Sequence, residues 1–253
     1  MQLNYKDFGQ GDPIIIVHGL FGTLDNWQTI AKQLAEYFTV YIIDQRNHGR
    51  SPHAEGIDYQ LLADDLYFFM QDNGMYKAHL MGHSMGGKTV MQFALNYPDM
   101  VEKLAVIDIA PKAYKGGHEI IIETLQSIDL LTLKDRKDAE SQMMGNIPEF
   151  GTRQFLLKNL AHDEQTGKYE WKMNLSEIVK NYDKILGNID TSSIYEGETI
   201  FIRGDKSDYI LDSDIPTLKQ FFPNSTLETI ANAGHWVHAE QPKALLEIVK
   251  KFF

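Results

Sequence analysis

Two hydrophobic rhythms take turns along most of this chain. Short apolar runs of strand length alternate with segments whose apolar residues recur every three or four positions. Ile14-Ile15-Ile16-Val17 reads as a strand buried on both faces. Leu24 to Phe38 reads as a helix, with Trp27, Ile30, Ala31, Leu34 and Phe38 on one side. Val40-Tyr41-Ile42-Ile43 is the next strand and ends at Asp44, and Tyr59 to Asp72 is a second helix carrying Leu62, Leu66, Phe69 and Met70 inward. A strand at Ala78-His79-Leu80-Met81 leads into a helix from Gly87 to Tyr97 that stops at Pro98. Leu104 to Ile109 is another strand, closed by Pro111. The rhythm then breaks. From Lys112 to Gly197 the sequence is mainly helical and amphipathic, with no convincing strand. Alternation resumes with a strand at Thr199 to Ile202, a short helix at Pro216 to Phe222 and a strand at Leu227 to Ile230. The closing helix, Pro242 to Phe252, keeps Leu245, Ile248, Val249 and Phe252 in register.

Such alternation predicts an α/β fold, a mostly parallel central sheet with helices on both faces. No internal repeat or linker divides the chain. Residues 1–111 and 198–253 are therefore expected to form one core, and 112–197 a helical insertion into it. Ligands of open α/β sheets sit beyond the carboxyl ends of the strands, where an insertion at this point would serve as a lid.

Composition narrows the function. A chain of 253 residues can bury a core of this size as one domain. A formal charge of −11 argues against a nucleic-acid partner, which calls for a basic face. With no cysteine there is no disulfide, thiolate metal site or cysteine nucleophile. Met1 to Asp12 is polar and unlike a secretory leader, and no apolar run approaches the ~20 residues of a membrane-spanning helix. The expectation is a soluble cytoplasmic protein, a monomer or homodimer, acting on a small molecule.

The chemistry gathers at strand ends. Gly82-His83-Ser84-Met85-Gly86 stands between a predicted strand and helix, the G-x-S-x-G context of a nucleophile elbow. A Cβ on either flanking glycine would collide with the neighbouring strand and helix. His18-Gly19-Leu20-Phe21-Gly22 follows the first clear strand, so the backbone N–H groups of Leu20 and Met85 are the candidate oxyanion donors. A serine hydroxyl needs a base. Of nine histidines, His235 in Ala233-Gly234-His235-Trp236 is the best placed, late in the chain after the last strand and behind a glycine suited to a tight loop. His238 is the lesser candidate, and His83, beside the serine in a sharp turn, reads as a buried packing residue.

Three aspartates compete for the acid that orients the histidine. Asp205 and Asp208 flank Ser207 after the penultimate predicted strand. Asp108 ends a strand between Ile107 and Ile109, where a carboxylate is costly to bury unless something pairs with it. Within Asp44-Gln45-Arg46-Asn47-His48-Gly49-Arg50-Ser51, pairing of Asp44 with Arg46 would brace the loop under the site. Neither H-E-x-x-H nor a G-x-G-x-x-G opening a first βα unit occurs, so no metal or cofactor is expected.

With these residues in view, essentially the whole chain resembles the α/β-hydrolase family: H-G-x-x-G at His18, D-x-R-x-x-G-x-S at Asp44, G-H-S-M-G-G at Gly82, and Gly234-His235. Arg46-Asn47-His48-Gly49, Asp108-Ile109-Ala110-Pro111 and His235-Trp236-Val237-His238-Ala239 further resemble a subgroup of small lidded serine esterases and acyl-CoA thioesterases. That resemblance implies a serine (Ser207) where the family usually has its acid, with the acid supplied at Asp108. It implies hydrolysis of esters or thioesters of short to medium acyl groups. Ser84 at the elbow argues against dehalogenases and epoxide hydrolases, which carry an aspartate there. Carbon–carbon hydrolases, lyases, perhydrolases and a slow-turnover ligand receptor share the serine arrangement and are the alternatives. Of the insertion's apolar side chains, among them Ile120, Ile121, Leu125, Phe150, Phe155, Leu156 and Trp171, some are expected to line an acyl pocket.

Overall fold

The computed structural model describes residues 1–189 and 192–253. Its main sheet has seven strands: β1 (Tyr5–Phe8), β2 (Pro13–Val17), β3 (Thr39–Ile43), β4 (Ala78–His83), β5 (Val101–Ile107), β8 (Thr199–Gly204) and β9 (Ser225–Ile230). They lie in the order β1-β3-β2-β4-β5-β8-β9. Only β1 runs antiparallel to its neighbour. Helices α1 (Gln28–Leu34), α2 (Tyr59–Asp72), α3 (Met85–Asn96), α9 (Ile215–Phe221), α10 (Val237–Glu240) and α11 (Pro242–Phe252) complete the core.

Period-two alternation sorts the strand residues onto two faces. Ile14, Ile16, Val40, Ile42 and Met81 pack on one face with Ile30 and Leu34 of α1 and Leu245 and Val249 of α11. Ile15, Val17, Ile43 and Leu80 pack on the other with Leu66 and Phe69 of α2 and Val90 and Phe93 of α3. A strand buried on both faces must be apolar at nearly every position, which is why these runs were legible.

Between β5 and β8 the chain leaves the sheet. It forms α4 (Glu119–Ser127), α5 (Arg136–Met143), α6 (Phe150–Leu157), a hairpin of β6 (Leu160–Asp163) and β7 (Lys168–Trp171), then α7 (Leu175–Lys180) and α8 (Tyr182–Leu186). The hairpin departs from the strand-free expectation for this stretch. Its strands are short and only Leu160 in them is buried, so they lack an apolar run. Ile122, Leu125, Met143, Leu156, Ile178 and Ile185 pack together over Leu20, Phe21, Leu62 and Met85 of the core. Lys88 of α3 ties both ends of this segment down. Its buried ammonium donates to the carbonyl of Lys112 (2.7 Å) and to those of Leu186 and Gly187.

Two further expectations are corrected. The segment 24–38 is a short 3-10 turn followed by α1, which stops at Leu34. Residues 35–38 continue as a turn, with the Phe38 N–H bonded to the Leu34 carbonyl, and pack against the β1–β2 turn, where a Cβ on Gly9 would lie 2.4 Å from the carbonyl oxygens of Ala35 and Phe38. Arg46 does not pair with Asp44; its guanidinium makes a two-pronged contact with Asp65 of α2 (Nε to Oδ2 2.5 Å, Nη2 to Oδ1 2.9 Å). Asp44 instead accepts from Asn4 Nδ2 and from the backbone N–H groups of Leu24 and Arg50. Its carboxylate fills the space beside Gly49, whose φ of 57° also favours glycine.

Candidate active site

Strand β4 ends at His83 and α3 begins at Met85, so Ser84 alone makes the turn. Its φ of 53° and ψ of −121° are a strained conformation for a side-chain-bearing residue. The turn closes because its flanks have no Cβ. One on Gly82 would stand 2.2 Å from the Gly86 carbonyl oxygen, and one on Gly86 2.3 Å from that of Val17.

Ser84 Oγ lies 2.9 Å from His235 Nε2, and His235 Nδ1 lies 2.7 Å from Asp108 Oδ2. The carboxylate accepts the Nδ1 proton, which leaves Nε2 free to accept from the serine. Asp108 is fully buried just past β5, at a φ of 51°. It also accepts from the Gly204 N–H (3.2 Å) and from the Ser207 hydroxyl. Burial pushes the Asp108 carboxyl up to about 7, and the Ser207 and Gly204 donors pull against it. Burial brings His235 down to about 3, which keeps its ring neutral at neutral pH. Tyr209 stacks on that ring, with centroids 3.6 Å apart and planes 15° apart.

The other aspartates do not reach the histidine. Asp205 is exposed and accepts from the Ala233 N–H (3.2 Å), and Asp208 is exposed. His238 stacks on Trp27 at 4.4 Å. His83 is buried and donates Nε2–H to the His235 carbonyl at 2.8 Å. Gly234 is not the left-handed residue of its loop, since Asn232 takes that conformation with φ 58°.

The turn carrying Leu20 is braced from both sides. Phe21, at φ 57°, donates its N–H to His48 Nε2 (3.3 Å), and its carbonyl accepts from Asn159 Nδ2 (2.7 Å) just before the β6–β7 hairpin. His48 Nδ1–H donates to the Arg46 carbonyl, and His18 Nε2 accepts from the Gln45 N–H. Burial lowers His18 to about 4 and His48 to about 3, so both are neutral props. Among the described residues, no group accepts from the N–H of Leu20 or of Met85.

Two cavities meet at Ser84. The larger, of about 520 Å³, is lined by Phe21, Trp27, Ile121, Phe155, Leu156, Trp236 and His235. The smaller, of about 330 Å³, is lined by Met85, Ile109, Ile185, Leu186, Tyr59 and Tyr114. Of the insertion residues expected at an acyl pocket, Ile121, Phe155 and Leu156 line the larger cavity, Leu125 packs inside the insertion, and Ile120 and Phe150 are exposed. Sequence reasoning missed Tyr209, Tyr114, Asn159 and His118. For Lys88 there was a signal, a lone cation in an otherwise apolar helix.

A sequence model for the α/β hydrolase fold matches residues 12–122. The chain is 37% identical to a zebrafish (Danio rerio) protein named sn-1-specific diacylglycerol lipase ABHD11, over all of this chain and 82% of that protein. It is 34% identical to esterase YbfF of Escherichia coli, over 95% of this chain and 91% of that one. A solved structure titled marine microorganism esterase superposes with a TM-score of 0.97 at 44% identity, covering 100% of this chain and 99% of that one. The chain belongs to the α/β-hydrolase family, among its esterases.

Proposed function

We propose that this carboxylic ester hydrolase works by two-step acyl transfer through a covalent intermediate on Ser84. The hydrogen-bonded chain Ser84–His235–Asp108 carries the reading. His235 Nε2 takes the hydroxyl proton as Ser84 Oγ attacks the ester carbonyl. The resulting oxyanion is held by the Leu20 and Met85 N–H groups, and loss of one such donor raises the barrier by ~3 kcal/mol. His235 then gives its proton to the departing alkoxide, and the alcohol leaves. A water, deprotonated by the same nitrogen, attacks the acyl carbon and frees the acid and the serine. Asp108 keeps the imidazole in the Nδ1–H tautomer and stabilises the imidazolium, with Ser207 supporting the carboxylate.

His235 lines only the larger cavity, so the alcohol, which needs its proton, belongs there. The acyl chain then occupies the smaller one, beneath Ile185 and Leu186 of the insertion, which acts as a lid. This arrangement suits short to medium acyl groups. The test is turnover of nitrophenyl esters and acyl thioesters across chain lengths by the wild type and Ser84→Ala. The variant should lose at least about 10⁴-fold in kcat, and short and medium chains should outpace long ones. A Ser84→Ala protein with wild-type turnover would sink the mechanism, and a long-chain optimum would sink the acyl assignment.

A further inference from the structure

The two cavities share three lining residues, Leu20, Ser84 and His118. An ester lying across the junction, acyl group on one side and alcohol on the other, must pass all three. Leu20 and Ser84 already have parts in the reaction. His118 lies outside the triad and stands at the N-terminus of α4, so it comes to the junction from the insertion. Its ring is edge-on to Phe21, centroids 6.1 Å apart, directly beside the turn that carries the Leu20 N–H.

The proton on this imidazole can be assigned. Tyr182 Oη accepts the backbone N–H of His118 at 3.1 Å and lies 3.0 Å from His118 Nδ1. The phenol has one proton, and among the described residues its available acceptor is Nδ1. Tyr182 therefore donates to Nδ1, and the ring proton sits on Nε2. His118 Nε2 has no hydrogen-bond partner among the described residues, and it is open to the cleft instead of being sealed in the core. Burial lowers the pKa of His118, which keeps it a neutral donor beside His235.

We propose that His118 donates its Nε2–H to an oxygen of the bound ester as charge develops on it, a catalytic contact supplied by the insertion, and that Tyr182 is the positioning residue that fixes its tautomer. This rests on the acyl-enzyme reading of Ser84. Its consequence is that the insertion contributes to kcat as well as to enclosing the substrate.

The experiment measures kcat and KM on a nitrophenyl ester for His118→Phe, His118→Gln, Tyr182→Phe and the His118→Phe/Tyr182→Phe double variant, together with fluorophosphonate labelling of Ser84. His118→Phe keeps a ring against Phe21 and removes the donor; kcat should fall about ten- to a hundredfold with little change in KM. His118→Gln restores an N–H and should recover part of the loss. Tyr182→Phe should lower kcat several-fold alone and add nothing in the double variant, because both act through one contact. Wild-type kcat in His118→Phe, no recovery in His118→Gln, or a full additive loss in the double variant would each overturn the proposal. Activity persisting in Ser84→Ala would instead strike the acyl-enzyme reading itself, so the two failures are distinguishable.

Discussion

At the scale of single residues, the informative case is the acid. Asp108, Asp205 and Asp208 are the same chemical group within reach of strand ends, and sequence alone ranked them only by burial and by resemblance. The geometry separates them: Asp108 is sealed behind β5 against His235, while the other two point to solvent. Asp108→Asn should therefore cost about 10⁴-fold in kcat by disturbing the histidine tautomer, with Asp205→Asn and Asp208→Asn near wild type. In the same assay, Ser207→Ala should move the acidic limb of the kcat/KM profile to higher pH. The Ser207 bond lowers the Asp108 pKa, so its removal lets the Asp108–His235 pair hold its proton to higher pH, and the active form requires that proton gone. A limb that stays put or moves down would remove Ser207 from the network. Tyr209 and His118 were illegible because stacking and cavity lining join positions far apart in the chain.

At the scale of elements, buried strands and long amphipathic helices were readable because burial on a fixed period leaves little choice of residue. Helix α2 matches its expected bounds and α11 does as well. The missed strands share a cause. Strand β1 at the sheet edge is almost wholly exposed, and in the β6–β7 hairpin only Leu160 is buried; neither needs an apolar run. The elbow is the opposite case, an element defined by side chains it lacks. Gly86→Ala would set a Cβ against β2 backbone that cannot rotate away. Such crowding costs about 1–3 kcal/mol, so a fall in Tm of about 2–12 °C is expected by calorimetry. An unchanged Tm with intact activity would mean that the turn is looser than its geometry implies.

At the scale of the whole molecule, the unusual quantity is buried neutral histidine. His18, His48, His83 and His238 are all interior, and burial holds His18 near 4 and His48 and His83 near 3, with His238 also lowered. In the unfolded chain each titrates near its ordinary value of about 6.5. Unfolding therefore takes up protons below that pH. The fold is fully stable above it and loses stability as pH falls toward the folded values, by about 1.4 kcal/mol per pH unit for each proton. Asp108, shifted upward, works in the other direction, as one group against these four and His235. Calorimetric Tm should drop steeply between about pH 6.5 and 4, and a flat profile there would contradict the neutral assignment of these rings.

One side chain on α3, Lys88, holds both feet of the insertion, and Asn159, Asn174 and Ile185 tie the segment between those feet to the core at further points. Ser84, His235 and Asp108 bond to one another and, among the described residues, not to the insertion, so substitutions on its outer side leave their spacing unchanged. Rewriting the insertion's inner face would reshape both cavities while Ser84, His235 and Asp108 keep their places.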